Sequence, residues 1–247
     1  MFSYWVHLFL FGLVAFADAN DRQRIVGGKN ASVGQFPYMA SLRVKNKHVC
    51  GGAIVSPNYI LTAAHCVEAA NNRGKLSEVT IVTGTIYLNS GGDVHAVTAM
   101  SYDPGYKNDL DKDVGIIKLA RPITFNENQK PIDIATERPP EGKYVTVSGW
   151  GLTAYPSPAP PDNMQYQFIK VIKFSKCRFY FPTITTAVCT FLKVDVGVCF
   201  GDSGSPLVYN NQVVAVASRV VPCAKGYPDL FSSTADSMGY IRKAMSE

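Results

Sequence analysis

Three separate stretches carry side chains that could act on one another. In Gly197-Val-Cys-Phe-Gly-Asp-Ser-Gly-Ser-Pro-Leu207, two glycines flank an Asp-Ser pair. Glycine permits backbone conformations closed to bulkier residues, so a tight turn here can expose the Ser203 hydroxyl and aim neighbouring N–H groups at one point. A serine is a weak nucleophile until a base takes its proton, and N–H groups beside it can hold a developing oxyanion. Leu61-Thr-Ala-Ala-His-Cys66 ends an apolar strand with such a base, His65, since the reference pKa of histidine is about 6.5. Asp111-Lys-Asp-Val-Gly-Ile-Ile-Lys-Leu119 puts an acid at the mouth of another apolar strand, where a buried carboxylate needs a partner that a histidine would supply. Taken singly, the stretches also have plain structural readings: a Gly/Ser surface turn, and a histidine beside a structural cysteine.

The elements that must position these residues read as many short strands. Candidates are 39–44, 52–56, 60–63, 79–83, 94–100, 114–119, 143–148, 165–172, 188–191, 206–209, 213–218 and 229–232, with Gly, Pro and Asn between them. Such regular spacing argues for antiparallel β barrels or sandwiches. Only 235–245 reads as helix, with Met238, Ile241 and Met245 at helical spacing as a core-packing stripe. The Pro-rich patch 155–161 is an exposed loop, and 121–131 could link two halves.

A chain of 247 residues, 47% hydrophobic and 17% charged, is globular and long enough for one large domain or two lobes. Its net charge of +5 is mild, and no basic run with interleaved aromatics points to nucleic acid. Residues 8–16 form a short apolar core followed by small residues, which predicts a secretory signal over 1–17, with cleavage after Ala17 or Ala19. Its leading end lacks Lys and Arg. The run falls short of the roughly 20 apolar residues that span a bilayer, so no membrane anchor is expected. Six cysteines in a secreted chain suggest three disulfides, with 15 pairings open at this point. No Cys or His spacing suggests zinc. Residues 18–24 are a short polar segment, and Arg24 followed by Ile25-Val-Gly-Gly28 reads as a cleavable joint. Asn30-Ala-Ser32 is an N-glycosylation sequon.

The motifs Thr62-Ala-Ala-His-Cys66, Asp113-Val-Gly-Ile-Ile-Lys-Leu119, Gly149-Trp-Gly151 and Gly201-Asp-Ser-Gly-Ser-Pro-Leu207 occur in the order His, Asp, Ser behind Ile25-Val-Gly-Gly28. Together they resemble the trypsin/chymotrypsin family of secreted serine endopeptidases over residues 25–247. The resemblance implies an all-β fold of two six-stranded antiparallel barrels, with the active site between them and a C-terminal helix. It also implies a nucleophile at Ser203, a general base at His65, an orienting acid at Asp113, and an oxyanion hole from the N–H groups of Gly201 and Ser203. Asp109 and Asp111 are decoys beside Asp113, which directly precedes the apolar run. Implied disulfides are Cys50–Cys66, Cys177–Cys189 and Cys199–Cys223. After cleavage at Arg24 by a trypsin-like activator, the new amino group of Ile25 would pair with Asp202. His48 resembles a residue that holds this aspartate in some precursors.

The resemblance also places the substrate pocket at Gly197, Ser218, Val220 and Asp229. A trypsin would carry Asp at the position of Gly197, so strong Lys/Arg preference is not expected. Relatives mostly carry Trp and Gly where this chain has Arg219 and Val220. Val220 would narrow the slot toward small or medium apolar side chains, with Phe200 adding apolar surface at the rim, and aromatic residues are the alternative. Asp229 pulls toward basic residues if it faces the pocket, and the Gly197/Asp229 pair resembles some broad-specificity arthropod enzymes. Arg219 would favour acidic residues in neighbouring subsites. The expected partners are protein or peptide substrates, the activator and protein inhibitors, with the chain a monomer. No cofactor is implied; Glu68 and Glu78 flank a loop where some relatives bind calcium, without a convincing ligand set. A noncatalytic homologue that binds partners is the alternative function.

Overall fold

The computed structural model describes residues 25–107, 111–157, 159–219, 221 and 223–247. The signal and activation segments, with Arg24, lie outside the described residues, as do Asp109 and Val220.

Six strands close a first barrel: β2 (Met39–Val44), β3 (Lys47–Ile54), β4 (Tyr59–Thr62), β5 (Val79–Thr83), β6 (Asp93–Tyr102) and β7 (Gly115–Leu119), in the order β2-β3-β4-β7-β6-β5. The short strand β1 (Lys29–Asn30) precedes them and β8 (Asp133–Ile134) follows. The second sheet holds β9 (Tyr144–Gly149), β10 (Gln165–Lys170), β11 (Val188–Thr190), β12 (Pro206–Tyr209), β13 (Gln212–Arg219) and β14 (Asp229–Ser233), in the order β10-β9-β12-β13-β14-β11. β1 joins this sheet beside β10, and β8 pairs with β13. A bridge between Val171 and Thr190 brings β11 back to the end of β10. There Ile172 N–H donates to Cys189 O and Phe191 N–H to Lys170 O, both at 2.9 Å, so these six strands ring a second core.

Each barrel has its own apolar filling. Leu42, Ile54, Leu61, Ile81 and Ile117 are buried in the first, and Val145, Val147, Leu207, Val214 and Phe231 in the second. The expected twelve strands all form. The C-terminal helix α3 (Met238–Ala244) follows a 3-10 turn and lays Ile241 and Met245 of the expected stripe on the first core, whereas Met238 is not part of that core. Tyr240 locks it there, its hydroxyl within 2.9 Å of Ser101 Oγ and accepting Ile116 N–H at 3.1 Å.

Two further helices depart from the expectation of a single one. α1 (Ala64–Arg73) starts straight after β4, so His65 lies in the first turn of a helix and not at a strand end. The β4 ladder with β7 stops at Thr62, and alanines at 63, 64, 69 and 70 favour helix beyond it. α2 (Phe174–Tyr180) buries only Cys177 and leaves Phe179 exposed, so it has no apolar stripe to betray it. Three disulfides form, Cys50–Cys66, Cys177–Cys189 and Cys199–Cys223, in the implied pairing. Each typically contributes about 2–4 kcal/mol. The first staples α1 to β3, fixing the start of the helix that carries His65.

Candidate active site

The first barrel supplies a base and an acid. His65 N–H donates to Asp113 Oδ1 at 2.9 Å, and His65 Nδ1 lies 2.7 Å from Asp113 Oδ2. Asp113 is fully buried at the entry to β7. A buried carboxylate must be hydrogen-bonded, and this one also accepts the Ser218 hydroxyl at 2.6 Å. With Nδ1–H given to Asp113, Nε2 is the ring atom left to accept a proton. Cys66 Sγ lies 3.6 Å from it.

The second barrel supplies the hydroxyl on a turn that sequence and packing both force. Gly201 has φ of +98° and Gly204 of +75°, values that L side chains rarely adopt. A Cβ on Gly204 would also run into Thr62 Oγ1 and lie 2.6 Å from Gly51 O. Three ties hold the turn. Gly51 N–H donates to Ser203 O at 2.8 Å, Gly204 N–H to Ala217 O at 2.7 Å, and Asp202 N–H to Cys199 O at 3.1 Å. Among the described residues the N–H groups of Gly201 and Ser203 donate no hydrogen bond. Two such backbone donors near one hydroxyl can receive an oxygen.

His65 and Ser203 line one cavity of about 190 Å³, together with Val198, Phe200, Ser218 and Arg219. The structure thus brings His65, Asp113, Ser203, Gly201 and Ser218 to one place. Asp111 does not join them; it reaches away to Thr185 and Thr186.

Two acids are buried close to the cavity: Asp202 is among its lining residues, and Asp229 bonds Val198, another of them. Asp202 takes Gly151 N–H on Oδ1 at 2.8 Å and Cys199 N–H on Oδ2 at 3.0 Å. Burial pushes its carboxyl up to about 6 against the pull of those two bonds. Side chains at Gly149 or Gly151 would collide with this carboxylate, which explains the glycines around Trp150. Ile25 is also fully buried, in the second core with Val196 and Val198. Val26 bridges Gly197, whose N–H donates to Val26 O at 3.1 Å, and a Cβ on Gly27 would lie 2.6 Å from Val196 Cγ2. The Ile-Val-Gly-Gly motif therefore packs against Val196 and Gly197.

Asp229 is the second acid. Its carboxylate occupies the space that a Gly197 side chain would need, with Cγ 3.2 Å from the ideal Cβ position, and it accepts Val198 N–H at 3.2 Å. Burial above all pushes it up to about 8; the Val198 bond lowers it and the charge of Asp202 raises it further. His48 does not hold the Asp202 carboxylate. Its Nε2 lies 3.0 Å from Gly201 O and its Nδ1 2.9 Å from Ser41 Oγ, with the ring edge-on to Trp150. Burial pushes its pKa down to about 4, so it stays neutral near pH 7.

Among the described residues one cluster has metal-type ligands, Cys50, Cys66 and His65, but its sulfurs are joined in the disulfide. Sequence reasoning took Ser218 as a pocket wall and missed its bond to Asp113, which joins residues 105 apart.

The family described as Trypsin matches residues 25–241. Trypsin delta of Drosophila melanogaster is 34% identical over 224 residues, covering 88% of this chain and 87% of that protein. Chymotrypsin-2 of Vespa crabro is 33% identical over 222 residues, covering 89% and 99%. Among solved structures, neuropsin, a serine protease expressed in the limbic system of mouse brain, superposes with a TM-score of 0.80 at 26% identity, covering 88% of this chain and 98% of its own.

Proposed function

The chain belongs to the trypsin family of serine proteases, and from that premise we propose that it is a secreted endopeptidase stored as a precursor and activated by cleavage after Arg24. One observation carries the reading: His65 is held through Nδ1 by a fully buried Asp113 and shares a cavity with Ser203. Ser203 Oγ attacks the scissile carbonyl carbon while its proton passes to His65 Nε2. Asp113 holds the ring in the tautomer that carries its proton on Nδ1 and stabilises the imidazolium. The N–H groups of Gly201 and Ser203 receive the oxyanion. Collapse of the tetrahedral intermediate expels the amine, which takes the proton from His65, and leaves an acyl-enzyme. Water, deprotonated by His65, then releases the acid and restores Ser203.

Activation creates an amino group at Ile25, whose ammonium pairs with Asp202. That pairing is supported by two buried residues, one of them a carboxyl that burial alone makes reluctant to ionise. Breaking a buried pair of this kind typically costs on the order of 3–5 kcal/mol, enough to couple the cut to the shape of the Ser203 turn.

The proposed specificity is chymotrypsin/elastase-like, with an apolar residue before the cut. Gly197 offers no acid, and Asp229, pushed up to about 8, is mostly protonated at pH 7. Arg219 on the cavity wall favours acidic residues at neighbouring positions. Secretion is supported by the apolar leader and three disulfides, which persist in oxidising compartments. An exposed Asn30 is open to a glycan. The activating protease is trypsin-like, protein inhibitors would act at the same cavity, and the enzyme works as a monomer.

The test is a serine-directed phosphonate applied to the folded protein before and after cleavage at Arg24. Label on Ser203 after the cut, and none in Ser203→Ala, is the expected result. A cut, folded protein that takes no label would be a noncatalytic homologue.

A further inference from the structure

Asp111 accepts hydrogen bonds from four donors of a segment 74 and 75 residues away, one of them, Thr185 N–H, shared between its two oxygens. Thr185 gives its N–H to Oδ1 at 3.1 Å and its hydroxyl to Oδ2 at 2.8 Å. Thr186 gives its N–H and its hydroxyl to Oδ1 at 2.7 and 3.1 Å. Asp111 precedes β7 of the first barrel, whereas the two threonines precede β11 of the second. Burial works against the carboxylate, but the four donors outweigh it and hold its pKa below the ordinary value.

Two residues later Asp113 is tied to the second barrel as well, through the Ser218 hydroxyl. Between the two acids, Lys112 has φ of +53°, and its carbonyl accepts Val114 N–H at 2.8 Å. A left-handed lysine costs on the order of 1–2 kcal/mol and persists only where its surroundings impose it. Here the fixed points are the two carboxylates on either side of it.

We propose that Asp111 is a positioning residue: it straps the chain before Asp113 to Thr185 and Thr186 of the other barrel, and so keeps the Asp113 carboxylate aimed at His65. The proposal rests on the reading of Ser203, His65 and Asp113 as the reacting set. Asp111 touches no substrate. Without it, the Lys112 turn can relax and Asp113 is free to drift from the His65 ring. Loss of aim at a reacting group lowers turnover more than it lowers substrate binding.

The test uses the full chain cut after Arg24, with active sites counted by phosphonate labelling of Ser203. In Asp111→Ala and Asp111→Asn, kcat per labelled site for a short peptide substrate should fall about tenfold, with KM within about twofold. Lys112→Gly, added to Asp111→Ala, should restore part of that kcat, because glycine holds a positive φ without a strap. A purely structural role would lower the melting temperature or the number of labelled sites while leaving kcat per site unchanged, and that result overturns the proposal. So does a loss of kcat that Lys112→Gly leaves unaltered. Wild-type protein that takes no label at Ser203 would instead refute the underlying reading, a separate outcome.

Discussion

Ser218 and Asp113 come from opposite barrels and meet at 2.6 Å, on the same oxygen that faces His65 Nδ1 at 2.7 Å. The acid is therefore held by a strand of the second barrel while its histidine partner stands on a helix of the first. Removing the Ser218 hydroxyl takes one donor from a buried carboxylate. The carboxylate is then less firmly held against the His65 ring. Ser218→Ala should lower kcat/KM on the order of tenfold, the scale of one bond to a charged group. An unchanged kcat/KM would mean that the serine only fills space.

Gly204 and Thr62 test the turn itself. A left-handed Gly204 sits where a Cβ would run into Thr62 Oγ1, a hydroxyl that already donates to Gly51 O at 2.8 Å. Gly204→Ala should destabilise the uncut protein by on the order of 3 kcal/mol, adding left-handed strain to overpacking. Thermal unfolding in a Ser203→Ala background measures this without self-digestion. A change below about 1 kcal/mol would mean that the turn can open without cost.

Much of this geometry was legible in the sequence because it is written locally. Short runs at regular spacing, with Gly, Pro or Asn between them, marked all twelve strands, and the motif order His65, Asp113, Ser203 marked what they carry. Short-range pattern could not announce α2, since it buries little besides a disulfide. It also placed His65 at a strand end, because an apolar run followed by alanines has no period that distinguishes strand end from helix start. The ties of Asp111 to Thr185 and Thr186, and of Asp113 to Ser218, join distant segments through single polar side chains. Nothing near either partner encodes the other, so only the folded chain reveals them.

Asp229 makes stability and specificity depend on pH in the same window. Its folded pKa of about 8 lies above the roughly 4 of an unfolded aspartate, so between these values the fold keeps a proton that the unfolded chain has lost. Stability from this group is therefore greatest below about pH 4 and declines as pH rises toward 8, by on the order of 5 kcal/mol over the span. Asp229→Asn removes the decline. Its melting temperature should gain on the wild type between pH 5 and pH 8.5. In the wild type alone, cleavage after Lys or Arg should rise relative to cleavage after Leu as pH passes 8. A gap in melting temperature that does not change with pH would show that the carboxyl is ionised throughout.

Arg219 ends β13 exposed on the cavity wall, and among the described residues no acid pairs with it. A peptide bound at Ser203 advances about 3.3 Å per extended residue, so a side chain two to four residues before the cut comes within reach of a long guanidinium stem. An exposed pair of this kind is worth about 0.2–1 kcal/mol, which sets the expected size of the effect. In matched peptides with Glu or Gln at those positions, kcat/KM should favour Glu by up to about fivefold at low salt. The preference should shrink as the Debye length falls below about 10 Å above 0.1 M salt. Arg219→Ala should abolish it and Arg219→Glu should reverse it. Equal rates for Glu and Gln peptides in the wild type at low salt would show that the guanidinium points away from the bound chain, and the acidic preference would have to be abandoned.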